Sequence, residues 1–176
     1  MKRIGVVVPE FPVLSETFVR TEMKGLEAAG HRVTPLTFKR RPELEDASCK
    51  YWASRAVDMS SVSVMAVLAF LFLYPWRLAQ AWAFCRHQTG IRPRSLLWNS
   101  LKLAVLIKRF DLKHLHAHFS LHTTAHAITA AKLVGTTVSF ICHGHDVYKQ
   151  PCDLPVKLKH ADFSVAVCKD MAERLH

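Results

Sequence analysis

Hydrophobic residues follow two periods along this chain, and the period changes from segment to segment. The first run, KRIGVVV, is short and continuously apolar, which predicts a strand buried on both faces. The next segment has helical spacing and ends at Gly30, a residue suited to the left-handed position after a helix. Ser15 is predicted to cap this helix, with Glu16 in its first turn, where a carboxylate favours the helix dipole. HRVTPLTF returns to strand composition, and Pro35 indicates an edge strand or a strand end.

The middle of the chain predicts a surface excursion and then helices. Residues 39–60 mix charged, polar and apolar residues without a clear period, so they are predicted to lie at the surface. Helical patterns follow over residues 61–74, 75–87 and 95–109.

An apolar stretch in this region raises the question of a membrane span. Residues 62–84 contain one charge, Arg77, and their length just reaches the roughly 20 residues that a spanning helix needs. Pro75 and Arg77 divide the stretch, and its uninterrupted part covers only residues 62–74. We therefore predict a packed helix or a helix at a membrane surface, in preference to a span.

The last third of the chain alternates strand and helix patterns. HLHAHF, TTVSFICHG and DFSVAVC read as strands, and TTAHAITAAKLVG, VKLKHA and KDMAERLH read as helices. This alternation predicts an α/β fold: a Rossmann-like, open, mostly parallel sheet with helices on both faces. A length of 176 residues suits one domain, residues 1–176. The final pattern stops within a helix, which predicts that a longer protein continues beyond it.

Composition narrows the possible partners. The chain is 50% hydrophobic with a net charge of +10, so it is globular and basic. Nucleic acid, an anionic membrane or a phosphorylated substrate would each match that charge, but no aromatic-studded basic motif supports nucleic acid. Five cysteines without CxxC spacing argue against a zinc ribbon or a disulfide framework. The N-terminus lacks the pattern of a signal peptide, so a cytoplasmic location is predicted.

The histidines offer candidate metal ligands. His114, His116 and His118 alternate along one strand and therefore project to one face, while His122 and His126 lie four apart on the next helix. Zinc binds imidazole, but HExxH is absent and three histidines spread along a strand do not easily reach one ion. We predict no metal site, and a metal-dependent hydrolase is the weaker alternative.

The segment HGHD follows a predicted strand. Ligands of open α/β sheets bind beyond the carboxyl ends of the strands, which makes His143, His145 and Asp146 candidate substrate contacts. The same letters also suit a plain turn, with Gly144 at positive φ and Asp146 bonding locally. GxSxG, a P-loop and GxGxxG are all absent from the sequence, which disfavours hydrolases, kinases and dehydrogenases of those types.

Four segments together resemble the N-terminal half of glycosyltransferase family four, the retaining GT-B enzymes that build bacterial exopolysaccharides and lipopolysaccharides. FPVLSETFVRTEMKGLEAAGHRV resembles the first βα unit of the colanic-acid-type subgroup, whose members carry P-x-x-SETF-[IV] there. HLHAHFSLHTTAHAITAAKLVG resembles the family's H-x-HF strand and small-residue helix, and SFICHGHDVY its SFT-x-H-x-x-D-[IV] strand end. KLKHADFSVAVCKDMAERL resembles its A-D-F-hydrophobic-Ser unit. The resemblance covers residues 3–38 and 93–176, with departures at Cys142 and Cys168.

The resemblance implies two Rossmann-like domains that face a cleft, of which this chain is the acceptor-side one. The second domain, with the donor-binding Glu-x7-Glu, would hold the nucleotide sugar. His143 matches the strand-end histidine near the reacting sugar and is the implied catalytic residue, while His118 matches the last histidine of the H-x-H strand. Ser15, Glu16 and Thr17 match the loop that borders the donor diphosphate and the acceptor. The family requires no metal and no cofactor besides the nucleotide-sugar donor.

The predicted function is therefore transfer of a sugar to a bacterial polysaccharide, or to a lipid-linked saccharide or lipopolysaccharide acceptor. The basic charge and the apolar middle suit peripheral attachment to the anionic inner face of the plasma membrane. Nucleic acid is not a predicted partner. A stand-alone, non-catalytic binding domain of Rossmann-like fold is the principal alternative.

Overall fold

The computed structural model describes residues 1–44, 49–149 and 151–175. The strands are β1 (Arg3–Phe11), β2 (Arg32–Arg40), β3 (Val57–Asp58), β4 (His114–His118), β5 (Thr137–Cys142) and β6 (Phe163–Ala166). The α-helices are α1 (Thr17–Ala28), α2 (Lys50–Arg55), α3 (Val64–Leu73), α4 (Leu78–Arg86), α5 (Pro93–Arg109), α6 (His122–Val134), α7 (Leu154–His160) and α8 (Lys169–Leu175).

The six strands form one parallel sheet in the order β3-β2-β1-β4-β5-β6. β1 lies in the middle and the chain adds strands outward on each side of it, as in doubly wound α/β proteins. The predicted Rossmann-like α/β fold is confirmed. Because the strands are parallel, the carboxyl ends of β1, β4 and β5 lie at the same edge of the sheet, and the reversal of strand order beside β1 is where ligands of such sheets bind.

Two apolar cores cover the two faces of the sheet. The smaller core holds α1 and α2 against β1 and β2, and Met23 and Trp52 are its largest fully buried side chains. The larger core, on the opposite face, contains residues of α3, α4, α5 and α6. Gly5 lies where a side chain would not fit, because a Cβ there would come within 2.8 Å of Leu112.

β4 divides its side chains between these two faces. Leu115 and Ala117 enter the larger core, whereas His114, His116 and His118 face the side that α1 covers. The prediction that the three histidines share a face is confirmed. A strand can be buried with apolar side chains only. The three histidines on one face of β4 therefore indicate a polar cluster beneath α1.

The predicted helix ends lie within about three residues of those in the structure, and the predicted cap of α1 is wrong. Gly30 and Gly135 adopt φ values of 82° and 79° just after α1 and α6, as predicted. The Ser15 cap is wrong: α1 begins at Thr17, Glu16 takes the N-cap position, and no side chain caps the helix. A turn precedes the helix, in which Glu16 N donates a hydrogen bond to Val13 O at 3.2 Å. Ser15 lies within this turn and not at the N-cap position.

The middle of the chain is less exposed than its composition indicates. The predicted surface segment contains α2, and Cys49, Trp52 and Met59 are buried, so that prediction is wrong for these residues. Their burial was not predicted because charged residues separate the apolar positions. Residues 45–48 of this segment lie outside the described ranges. Pro35 lies inside β2, opposite Val6 of β1, so it does not mark the end of a strand. β3 pairs only with residues 36 and 37.

The three predicted helices of the middle segment are present as α3, α4 and α5. Among the described residues, no single helix combines the length and apolar character needed to cross a membrane. α3 and the segment Pro75–Arg86 are together long and apolar enough, but the two are bent by 88° at the break between them. Met65 and Phe72 of α3 and Trp76 after it are 73%, 85% and 67% exposed, respectively.

Candidate functional site

Three motifs from distant parts of the sequence meet at the carboxyl edge of the sheet. Phe18 of the SETF segment lies with its ring centroid 4.8 Å from that of His143 and 5.9 Å from that of His118. His118 is the last residue of β4 and His143 directly follows the neighbouring strand β5, and their rings are nearly parallel at 5.9 Å. Phe119 packs 4.7 Å from His143. We call Phe18, His118, Phe119 and His143 the aromatic cluster.

Burial favours the neutral form of both histidines in this cluster. It lowers the pKa of His118 to about 4, although the nearby Glu22 carboxylate acts in the opposite direction. It also lowers the pKa of His143, again against the attraction of Asp146 and Glu22. Neutral imidazole both donates and accepts a hydrogen bond. Nε2 of His143 has no partner among the described residues.

Glu22 lies one helical turn after Phe18 on α1 and approaches two histidines of β4. Its Oε1 lies 2.8 Å from Nε2 of His116, at ion-pair distance but without hydrogen-bond geometry, and its Oε2 lies 3.5 Å from Nε2 of His118. Burial disfavours the ionised carboxylate, yet His116, His118 and His143 outweigh it and lower the Glu22 pKa. Glu22 is therefore ionised at neutral pH.

The other side of these histidines contacts β5. Nδ1 of His116 lies 2.7 Å from the Ser139 hydroxyl, which also lies 2.8 Å from Nε2 of His114. The His114 ring stacks 5.6 Å from Phe163, and its Nδ1 reaches Thr137. Both ring nitrogens of His114 are thus used within the sheet face, and His114 does not join the aromatic cluster.

Asp146 fixes the backbone on which the aromatic cluster stands. It is 1% exposed, and its Oδ2 accepts hydrogen bonds from Ser120 N at 2.6 Å and His143 N at 3.2 Å. The Ser120 carbonyl in turn accepts from the buried Lys157 ammonium at 2.8 Å. This network ties the loop after β4 to the loop after β5. The predicted local bond of Asp146 is confirmed, whereas Gly144 is not among the residues with positive φ.

The remaining predicted contacts lie at exposed or partly buried positions. Ser15, Thr17 and His145 are exposed. Glu16 is partly buried, and burial together with the charge of Glu10 raises its pKa. The structure therefore brings His118, His143 and Asp146 together, and among the described residues no hydrogen bond or ring contact joins Ser15, Thr17 or His145 to them.

A second concavity lies at the same edge, between β1, β2 and the start of α6. It has a volume of about 240 Å³. Glu10, Lys39, His122 and His126 contribute to its lining, and Glu10 is paired with Arg41 at 2.6 Å. His126 bonds the His122 carbonyl through Nδ1 at 2.7 Å, and its Nε2 has no hydrogen-bond partner among the described residues.

Three residues at the site were not identified from the sequence. Phe18 and Glu22 lie four positions apart on α1, next to the buried Val19 and Met23. The signal for them in the sequence was therefore a carboxylate on the buried side of an amphipathic helix. Lys157 follows Leu154 by three positions, which places the lysine on the buried face of α7. Polar residues at apolar positions of a helix were thus the signal for this site.

No model of a known protein family matches this sequence. No curated protein sequence is significantly similar to it either.

Proposed function

We propose that this chain forms the acceptor-side domain of a retaining glycosyltransferase. The full protein would transfer a sugar from a nucleotide-sugar donor to a bacterial polysaccharide, or to a lipid-linked saccharide or lipopolysaccharide acceptor. One observation carries the proposal: the SETF, H-x-HF and HGHD segments resemble three motifs of one family and meet in the aromatic cluster. The SETF and HGHD segments are more than 90 residues apart in sequence. If each segment resembled the family only by chance, there would be no reason for the three to be in contact.

The chemistry of the cluster supports a carbohydrate ligand. Neutral imidazoles bond sugar hydroxyls as donors or acceptors, and aromatic rings offer apolar surface to the C–H face of a sugar. His143 is the proposed catalytic contact at the reacting sugar, and His118 supports it from the neighbouring strand. Asp146 acts as a positioning residue, because its carboxylate holds the His143 backbone.

Access to His143 depends on Phe18. Nε2 of His143 is enclosed, and the rings of Phe18 and Phe119 are its aromatic neighbours. The Phe18 side chain is 40% exposed, so a change of rotamer would uncover the imidazole without opening the core. We propose that substrate binding displaces this ring.

The test uses the protein encoded by the complete open reading frame. Purified enzyme is incubated with UDP-, GDP- or dTDP-sugars and a bacterial lipid extract, and release of nucleoside diphosphate is measured. We expect His143→Ala to lower turnover about 100-fold or more, as for loss of a group that acts in the transition state. His87→Ala is the matched control, because His87 is an exposed histidine at the end of α4.

Two outcomes would contradict the proposal. One is His143→Ala activity within about twofold of the wild type. The other is a reading frame with no second domain carrying Glu-x7-Glu, which would favour the stand-alone binding domain.

We further propose that the elbow between α3 and α4 attaches the protein to an anionic membrane. Phe72 and Trp76 are exposed apolar side chains on the two sides of this elbow, and Met65 is exposed near the start of α3. Arg92 and Arg94 border a neighbouring groove together with Trp82. An aromatic and basic surface of this kind matches the interfacial zone of a bilayer, where each cation near anionic lipid contributes about 1 kcal/mol. Such attachment would bring the cleft to a lipid-linked acceptor.

Vesicle flotation tests this attachment. The protein should float with phosphatidylglycerol-containing vesicles and much less with phosphatidylcholine vesicles. The double variant Phe72→Ser/Trp76→Ser should lose binding, while Val167→Ser, which removes an apolar side chain that is 52% exposed on another part of the surface, should not. Equal flotation with both lipids, or full binding by the double variant, would argue against membrane attachment through this elbow.

A further inference from the structure

Glu22, His116 and His118 bring a carboxylate and two imidazoles together beneath α1. The two Glu22 oxygens lie 2.8 Å from Nε2 of His116 and 3.5 Å from Nε2 of His118. One potential ligand atom from each residue lies within 4.8 Å of the other two. Ligands at roughly 2.0–2.2 Å from a tetrahedral zinc ion are about 3.3–3.6 Å apart, so small side-chain rotations would complete this geometry.

We infer that Glu22, His116 and His118 bind a divalent transition-metal ion of the zinc class. Two imidazoles and one carboxylate are a donor set that zinc and its first-row neighbours use. Three protein ligands leave one tetrahedral position for water or another ligand. The proposed sugar transfer needs no metal, so the ion would take no part in that reaction, although His118 belongs both to the aromatic cluster and to this metal site.

His118 provides a second observation that points to a ligand. Its side chain is fully buried, and neither ring nitrogen has a hydrogen-bond partner in the part of the chain that the structure describes. A buried polar group without a partner is unfavourable, and native proteins rarely keep one without a reason. A metal ion bound to Nε2 would use the imidazole lone pair directed toward Glu22.

The surroundings of His116 resemble those of a metal-bound histidine. Its Nδ1 lies 2.7 Å from the Ser139 hydroxyl, so Nε2 is the nitrogen left for the ion. Contacts of this kind hold the ring orientation and the tautomer that coordination needs. The Glu22 side chain is 31% exposed, which provides a route for an ion from solvent.

No metal site was predicted from the sequence because HExxH is absent and three histidines spread along one strand do not easily reach one ion. This geometric objection is correct for His114, whose two nitrogens contact Thr137 and Ser139. The third ligand comes instead from α1, 94 positions before His116. Helix packing thus supplies the carboxylate that the strand lacks.

Metal binding is tested on the protein after removal of metal with a chelator. Zinc is titrated in competition with a chromophoric chelator, and cobalt is titrated by its visible absorption, which reports coordination geometry. We expect one equivalent of each ion, intense tetrahedral-type cobalt bands, and a higher Tm with zinc. Glu22→Gln should weaken zinc binding at least tenfold and abolish the cobalt bands. Ser139→Ala should weaken zinc binding about 10- to 100-fold.

Glu22→Gln is the decisive variant, because it keeps the size of a partly exposed side chain and should remain folded; circular dichroism checks this. His87→Ala, a surface histidine, controls for adventitious binding and should retain wild-type affinity. Absence of stoichiometric zinc binding by the wild type overturns the inference. So does wild-type affinity in Glu22→Gln, which would place the bound zinc on other histidines. Failure of either kind leaves the sugar-transfer proposal intact, since that is tested by His143→Ala.

Discussion

Replacement of Lys157 by methionine tests the network that supports the aromatic cluster. Lys157 is 2% exposed, and its ammonium donates to the carbonyls of Ser120 at 2.8 Å and Cys152 at 2.6 Å. Methionine keeps much of the length and packing of lysine but donates no hydrogen bond. The change leaves both carbonyls without this donor and removes the positive charge near Asp146.

The expected loss follows from these contacts. Leaving the buried Ser120 carbonyl unpaired costs about 1–3 kcal/mol, and the partly solvated Cys152 carbonyl costs less. Burying methionine instead of an ammonium offsets part of this cost, because burial already lowers the Lys157 pKa and so opposes the charge. We therefore expect Lys157→Met to lower the free energy of unfolding by about 1–3 kcal/mol.

Urea unfolding followed by tryptophan fluorescence and circular dichroism measures this loss. Lys159→Met is the matched control, since Lys159 lies two positions further along α7 and is exposed; it should stay within about 0.5 kcal/mol of the wild type. Hydrogen exchange adds a local readout: the Ser120 amide, which donates to Asp146, should exchange faster in Lys157→Met. If Lys157→Met were as stable as Lys159→Met, the buried ammonium would not support this loop.

Two further predictions concern stability. The pKa of buried His126 is lowered to about 4 from 6.5, so the unfolded chain binds its proton more readily and stability falls as the pH drops below 6.5. His126 accounts for about 2 kcal/mol of the free energy of unfolding that is lost between pH 7.5 and pH 5. Urea unfolding of His126→Gln should therefore show a correspondingly smaller loss over this range. The same pH dependence in the variant and the wild type would refute this. His122, Glu10 and Lys39 line the same concavity and remain in both proteins. Gly135→Ala should lower stability by about 1–2 kcal/mol, because φ is 79° and the new Cβ would lie 2.7 Å from Arg77. Gly25→Ala, in open space within α1, should instead raise stability by about 0.5–1 kcal/mol, and the same sign for both glycines in thermal or urea unfolding would contradict the backbone argument.

Local signals explain why most of the regular elements were predictable. Strand β1 is continuously apolar because both faces are covered, and Gly135 ends α6 because few other residues adopt its backbone conformation easily. These properties depend on neighbouring residues and can be recognised in one sequence. The alternation of such elements then restricts the topology, because parallel strands need crossover connections.

The site required information that the sequence does not carry locally. The Glu22–His116 contact joins α1 to β4 across 94 positions, and its formation depends on how α1 packs on the sheet. Ser15 was misjudged for a related reason: a capping residue is recognised by type, but the turn after β1 places Glu16 at the N-cap position instead. Trp52 was missed because the charged residues of this segment obscure the spacing of its buried positions. Tertiary packing decides all three.

The charges around the aromatic cluster restrict which part of a substrate would bind there. Glu22 and Asp146 are the carboxylates whose charges act on His143, and burial keeps its imidazole neutral. While no cation is bound at Glu22, such surroundings repel a diphosphate, whose developing negative charge needs cations or N–H donors in the transition state. They suit hydroxyl groups, which donate to carboxylates and exchange hydrogen bonds with imidazole. Within the proposed function, His143 therefore faces the sugar ring or the acceptor, and stabilisation of the leaving diphosphate falls to groups outside this cluster.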